Sequence, residues 1–244
     1  MEANNIYLGD CYELIKQIPD KSVDLVYTDI PYEFVGGGSG GAFGEGNKSY
    51  NSAIKLSKTS KKGSMANSGI DYSIMDELVR VLKYIYIYIW CSKAQIPPIL
   101  DYFTKLGCNY DLLVWCKTNP VPKTNNNYLP DIEYCLMFRE KACKLNDGYN
   151  LKSKWYISPL NKQDKDIFLH PTIKPLELVK RHILHSTQEN DLVLDCFAGS
   201  GTTLKACKDL NRRYIGFEIN EEYYKIAKDR LNNIDAKGQY HLFE

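Results

Sequence analysis

The chain has almost no net charge, no paired cysteine spacing, no long apolar run and no complete phosphate-binding motif. Each absence removes a class of function. With 31 Lys and Arg against 30 Asp and Glu the formal charge is +1, so no whole-molecule field steers nucleic acid or an anionic membrane, and any polyanion must be met by a local patch. The eight cysteines, at 11, 91, 108, 116, 135, 143, 196 and 207, form no Cys-x-x-Cys pair. Several lie inside apolar runs, as reduced core residues of a cytoplasmic protein do. No stretch is apolar for long enough to span a bilayer, and Met1-Glu2-Ala3-Asn4-Asn5 is neither basic nor followed by a signal-like segment. A cytoplasmic chain with no membrane partner is expected. His182, His185 and His241 stand outside any ligand spacing and read as surface or core residues, so no metal site is indicated.

What is present is a regular alternation of short apolar runs and helical periods. At 244 residues, 44% apolar and 25% charged, the chain suits a single α/β domain over 1–244 with insertions. Strands are expected at 6–8, 23–28, 84–90, 109–117, 132–139, 192–196 and 213–218. Helices are expected where Leu14, Ile15 and Ile18 share a face, where Ile74, Met75, Leu78, Val81 and Leu82 do, at 94–106, after Pro175, after Gly201, and after an Asn220 cap. The strands at 109–117 and 132–139 are expected to pair as an antiparallel hairpin across an Asn- and Pro-rich linker.

Two segments break the alternation. The loop 36–70 starts with seven glycines in eleven positions and carries Lys48, Lys55, Lys58, Lys61 and Lys62 with no acid between Glu45 and Asp71. It reads either as a solvated loop or as a lid that orders on a phosphate backbone. The segment 140–169 has the weakest periodicity; Tyr149, Lys154, Trp155 and Tyr156 interleave basic and aromatic character there. A solvated insert and a track that stacks bases share that composition.

Chemistry concentrates at the strand ends. The stretch from Leu192 to Thr203 is a buried strand that turns on Gly199 and Gly201 and leaves as a helix. Glycines let the backbone approach a ligand, and the N–H groups opening the helix favour an anionic group. A P-loop needs Lys where Thr202 stands, and a dinucleotide fingerprint needs Gly where Leu204 stands. Glu218, ending the next strand, is placed to accept hydrogen bonds from both hydroxyls of a ribose. A nucleoside without a polyphosphate therefore fits better, the other reading being an ordinary strand–turn–helix with glycine for packing. Asp10 follows the first strand as a helix cap or a ligand contact. The second strand delivers Asp29-Ile30-Pro31-Tyr32 to the edge where open α/β sheets bind ligands.

Together these pieces resemble the β group of amino-methylating DNA methyltransferases. The residues that carry the resemblance are Asp29-Ile30-Pro31-Tyr32 for the family's Asp-Pro-Pro-Tyr, Asp195-x-Phe197-x-Gly199-x-Gly201 for its cofactor motif, and His170-Pro171-Thr172-x-Lys174-Pro175. The tetrapeptide precedes the glycine motif, which is the circularly permuted order of the β group. The resemblance implies a Rossmann-like class I methyltransferase fold: α/β, with a mostly parallel twisted sheet and an antiparallel hairpin strand. It implies S-adenosylmethionine as cofactor and methyl transfer to N6 of adenine at a specific site in double-stranded DNA. The alternatives are N4 of cytosine, an RNA methyltransferase, or a catalytically silent DNA-binding module of the same fold. Asp at position 29 favours adenine, since cytosine-N4 members more often have Ser there. A homodimer and a cognate restriction endonuclease are the further partners it suggests, in a bacterial or phage-infected host cytoplasm.

The same resemblance assigns roles. An exocyclic amine is a poor nucleophile because its lone pair is delocalised into the ring. Hydrogen bonds from it to the Asp29 carboxylate and the Ile30 carbonyl would free that pair, with Pro31 fixing the backbone and Tyr32 stacking the extruded base. Asp10 and Cys11 would lie against the cofactor's adenine, and Glu218 would hold its ribose. Phe197, Gly199, Ser200, Gly201 and Thr202 would line its methionine portion, Thr172 and Lys174 would approach its carboxylate, and Asp29 and Asp195 are further cofactor-binding residues. Lys55, Lys58, Lys61 and Lys62 are the expected phosphate contacts, and Lys154 and Trp155 the expected base-reading residues of a target-recognition insert at 140–169.

Overall fold

A strand buried on both faces has to sit inside a sheet, and the run Tyr86–Cys91 (β3) is buried at all six positions. Tyr86, Tyr88 and Trp90 point to one side and Ile87, Ile89 and Cys91 to the other, the two-residue period of a pleated strand. The computed structural model describes residues 1–33, 69–120, 122, 128–146, 148, 152–160 and 173–234. Lys55, Lys58, Lys61, Lys62, Thr172 and His241 lie outside the described residues.

Among the described residues β3 is one of eight strands. The others are β1 (Asn5–Leu8), β2 (Leu25–Asp29), β4 (Asn109–Lys117), β5 (Ile132–Arg139), β6 (Trp155–Ser158), β7 (Leu192–Asp195) and β8 (Arg213–Glu218), in spatial order β1-β8-β7-β2-β3-β5-β4-β6. Only β5 runs against its neighbours; the remaining pairs are parallel. Helices α1 (Cys11–Leu14), α2 (Ile74–Val81) and α3 (Ile96–Lys105) cover the face carrying Ile87 and Ile89. Helices α4 (Leu176–Ser186), α5 (Thr202–Asp209) and α6 (Glu221–Leu231) cover the other. This is the expected α/β architecture, with the hairpin register running from Asn109↔Arg139 to Cys116↔Ile132. No helix among the described residues is long and apolar enough to cross a membrane.

The segment expected to be irregular differs from that reading. Residues 155–158 form the edge strand β6, parallel to β4 in the register Val114↔Trp155 to Lys117↔Ser158. Arg181 of α4 pins its start, donating to the Ser153 and Trp155 carbonyls. Upstream, Cys143 and Leu145 pack on the second core cluster, and the Asn146 amide donates to the Leu184 and Thr187 carbonyls. His182 and His185 belong to the core: both are buried on α4. Burial first, and the neighbouring Arg181 charge second, push the His182 ring down to about 3.

Topology places the site. The chain steps outward from β2 to β3 on one side and from β7 to β8 on the other, with β1 beyond β8, and β2 and β7 are parallel neighbours. A crevice opens beyond the carboxyl ends of strands at such a reversal. There the Thr28 hydroxyl donates to Asp195 Oδ1 at 2.9 Å, joining residues 167 apart in sequence.

Candidate active site

Asp29 ends β2 at that crevice. Its Oδ2 takes the Lys174 ammonium at 2.5 Å, while Oδ1 is buried with no hydrogen-bond partner among the described residues. The side chain keeps 32% of its exposure, against 9% for Lys174, so the acid opens to the crevice and the lysine lies behind it. Burial pushes the Asp29 carboxyl above its ordinary range, and the Lys174 charge opposes that. Ile30 is buried in the core, and its N–H donates to the Trp90 carbonyl at 3.2 Å. The Pro31 carbonyl accepts from Gln95 Nε2 at 2.9 Å. Tyr32 holds its hydroxyl between Glu133 Oε2, at 3.4 Å, and the Asp29 carboxylate, and the Lys174 ammonium lies 5.5 Å over its ring.

Lys174 therefore faces the Asp29 side of the site. It also meets Glu133 Oε2 at 2.9 Å, and Glu133 Oε1 meets Lys117 at 2.6 Å. Burial alone would raise the Glu133 carboxyl; the two ammonium groups outweigh it and hold the group at about 2. Lys174, expected near a ligand carboxylate, meets two carboxylates of the chain itself in this structure.

Across the crevice, Asp195 is buried and accepts from Thr28 Oγ1 and, at 3.1 Å, from Phe197 N–H. Burial raises it to about 6. Asp29, Trp90, Lys174, Asp195, Phe197 and Ser200 share one cleft with the Gly199 backbone. Gly201 has a packing reason beside the expected one. Its φ is +74°, and an added Cβ would come 2.9 Å from the Ala227 Cβ of α6, so glycine here admits the close approach of a helix. Arg230 of α6 holds the same turn, donating to Thr202 Oγ1 at 2.7 Å and Ser200 Oγ at 3.2 Å.

Glu218 ends β8. Its Oε2 accepts from Gly199 N–H and its Oε1 from Asn220 N–H, both at 2.8 Å, and burial raises its carboxyl. Asp10 caps α1 by accepting from Tyr12 N–H at 3.0 Å. Beside it Cys11 is buried, its thiol pushed up to about 12 by burial and by Asp10. β1 and β8 meet at this end, where Gly9 N–H donates to the Glu218 carbonyl at 2.9 Å. Lys154 and Trp155 stand far from this cleft in the topology, on the opposite sheet edge; Lys154 pairs with Asp111 and Trp155 is 57% exposed.

Sequence reasoning missed Glu133, Lys117, Gln95 and Arg230. None has a motif around it: Glu133, Lys117 and Arg230 lie within β5, β4 and α6, and Gln95 stands just before α3. The unusual feature was a charge at the start of an otherwise apolar strand, as in Glu133 of β5.

The chain is similar to known proteins over most of its length. A family model described as DNA methylase, covering N6 and N4 enzymes, matches residues 23–229. The type II methyltransferase M2.LlaDCHI of Lactococcus lactis subsp. cremoris is 32% identical over 92% of this chain and 87% of its own. M2.DpnII of Streptococcus pneumoniae is 31% identical over 91% and 87%. Among solved structures, M1.HpyAVI in complex with SAM superposes with a TM-score of 0.67 at 29% identity, covering 93% of this chain and 99% of that one. The cytosine-N4-specific PvuII DNA methyltransferase, at 17% identity and a TM-score of 0.70 over 96% and 89%, shares the fold. The acid-tipped β2, the glycine turn after β7 and the family match over most of the chain agree: this protein belongs to the β group of amino DNA methyltransferases, the DNA methylases of adenine N6 and cytosine N4.

Proposed function

We propose that this chain transfers a methyl group from S-adenosylmethionine to N6 of adenine at a specific DNA sequence. The observation that carries the reading is Asp29 Oδ1, a buried acceptor without a donor, set beside the glycine turn. Buried polar atoms are nearly always satisfied, and an orphan at a cleft is completed by what enters it. An exocyclic amine supplies the missing N–H.

The residues present fit the cofactor. Asp29 and Asp195 put two carboxyl groups along the cleft, which suits a sulfonium cation, and Glu218 stands at the end of β8 for vicinal hydroxyls. When bound, S-adenosylmethionine supplies an electrophilic methyl group. Asp29 Oδ1 accepts one amine hydrogen and the Ile30 carbonyl the other, which returns the lone pair to the nitrogen. Gln95 fixes the Pro31 carbonyl and with it the course of the backbone past the base. Tyr32 gives the base a ring face, and much of the rate comes from holding donor and acceptor in line. Phe197 to Thr202 would border the cofactor's methionine portion, and Cys11 would lie against its adenine.

Adenine is favoured over cytosine because the tetrapeptide opens with Asp29 and not with Ser. Incubation with labelled cofactor and mixed DNA, followed by nucleoside mass spectrometry, tests this directly. N6-methyladenine is the expected product; N4-methylcytosine would reassign the base, and cofactor binding without product would make the chain a silent DNA-binding module. The proposal includes a target-recognition segment around Lys154 and Trp155, phosphate contacts by Lys55, Lys58, Lys61 and Lys62, a homodimer, and a cognate restriction endonuclease in the same cytoplasm.

A further inference from the structure

The Asp29–Lys174 pair is one edge of a larger network. The Lys174 ammonium reaches Asp29 Oδ2 at 2.5 Å, Glu133 Oε2 at 2.9 Å and Tyr32 Oη at 3.2 Å. A lysine has three N–H donors and no more. Three acceptors occupy them, none of them Asp29 Oδ1. Lys174 is further held 5.0 Å over the Trp90 ring and 5.5 Å over that of Tyr32. Glu133 is fixed in turn by Lys117 on its other oxygen, at 2.6 Å. Two ammonium groups balance two carboxylates, which is the condition under which such charges tolerate burial.

Glu133 touches both groups that flank Asp29, Lys174 and Tyr32, yet does not line the cleft. A lysine left to Asp29 alone, on its four-carbon stem, would turn a freed donor onto the second carboxylate oxygen. That oxygen is the one the amine needs. We propose that Glu133 is a positioning residue for methyl transfer: by claiming one Lys174 donor, it confines Lys174 to Asp29 Oδ2 and keeps Oδ1 open to the substrate amine. The inference rests on the reading of Asp29 as the amine's acceptor.

Charge follows the same geometry. The groups facing Asp29 are Lys174, Glu133 from β5, Tyr32 from the adjoining turn, Cys91 on β3, Cys135 on β5, Tyr27 within β2 and Asp195 across the switch point; Lys117 acts through Glu133. The negative charge of Glu133 raises the Asp29 carboxyl and Lys174 lowers it. Removing the charge in Glu133→Gln returns Lys174 wholly to Asp29, and both changes favour the ionised acid. Removing Lys117 in Lys117→Met leaves Glu133 less neutralised and disfavours it.

The two variants therefore shift in opposite directions. In Glu133→Gln, kcat is expected to fall about ten- to a hundredfold, the cost of a small misplacement at the reacting centre, and the acid limb of its pH profile to move to lower pH. In Lys117→Met the limb moves to higher pH, and Glu133→Asp restores the wild-type position. Opposite shifts support the proposal; no shift, or shifts of the same sign as general structural damage would give, overturn it. The carbon-13 carboxyl resonance of Asp29, assigned by its loss in Asp29→Asn, reports the same titration without turnover. A wild type that methylates no base thus refutes the proposed function while the titration still decides on Glu133. If Glu133→Gln does not fold, the direction of the Lys117→Met shift alone decides.

Discussion

Replacing Glu218 by Ala separates two tasks that one carboxylate carries. Its oxygens accept from Gly199 N–H and Asn220 N–H at 2.8 Å each, so it ties the glycine turn to the end of β8. Hydrogen bonds to a charged acceptor contribute about 1.5–3 kcal/mol each when intact, and a buried donor left unpaired costs about 1–3 kcal/mol. The cleft lets water reach part of the gap, so a loss of about 2–4 kcal/mol in unfolding free energy is expected for the two together, read from urea denaturation without cofactor. The same truncation removes the acceptor for the ribose hydroxyls. Cofactor binding should weaken by about 1.5–3 kcal/mol, or roughly 10- to 150-fold in Kd, by calorimetry at a temperature where the variant is folded. Glu218→Gln keeps one carbonyl acceptor and should fall between. Affinity within twofold of wild type, alongside the stability loss, would refute the ribose assignment and leave Glu218 as a brace for the turn.

Asp29→Ala should reduce single-turnover methylation by at least about 100-fold, in the range for loss of a positioned proton acceptor, while calorimetry shows a smaller loss of cofactor affinity; comparable activity would remove Asp29 from the mechanism. His182 predicts a pH effect on stability. Its folded value of about 3 lies below the usual 6.5, so as pH falls through that window the unfolded ring takes a proton the buried ring refuses, and stability drops. Asp195, raised from 3.8 to about 6, acts oppositely, losing stability as pH rises through its own window. His182→Phe should remove the first effect, by up to about 1.4 kcal/mol per pH unit, and a urea-midpoint profile parallel to wild type would refute it. Replacing Lys55, Lys58, Lys61 and Lys62 by Ala should weaken binding to all DNA sequences and flatten the log affinity–log salt slope by up to about 0.9 per lost contact. Trp155→Ala or Lys154→Ala should change discrimination between sites instead, and an unchanged slope in the lysine variant would move the phosphate contacts elsewhere.

Buried strands announce themselves because both of their faces must be apolar, and the acids that end them are conspicuous. That is why Asp29, Asp195 and Glu218 were legible at the carboxyl ends of β2, β7 and β8, and why the β4–β5 hairpin matched its expected bounds. The edge strand β6 was not. It is four residues long, and its exposed positions are Trp155 and Ile157, so its outward face is as apolar as its inward one and no alternation marks it. The partners of the site were hidden for another reason. Lys174 meets Asp29 across 145 residues and Tyr32 meets Glu133 across 101. Periodicity speaks of the face a residue lies on, whereas pairing across the sheet depends on strand order, and only the assembled topology sets β5 beside β3.

The departure of Ile30 from the proline of the family's tetrapeptide has a physical account in that topology. A proline cannot donate to a sheet ladder. Ile30 can, and its N–H bonds to the Trp90 carbonyl directly after the last β2–β3 pair, Asp29↔Trp90. The ladder thus extends one residue past the acid, and the Ile30 side chain, 2% exposed, is buried in the core under it. Asp29 is thereby held on both sides by regular pairing. Pro31 then ends the strand, since it has no N–H to continue, and its carbonyl is taken by Gln95, itself fully buried and anchored by Ser92 N–H at 3.0 Å. A first proline would stiffen the turn by restricting φ; isoleucine stiffens it through a hydrogen bond and a buried side chain. Since the role assigned to residue 30 belongs to its carbonyl, either device serves, and the substitution keeps the geometry that the acid at position 29 requires.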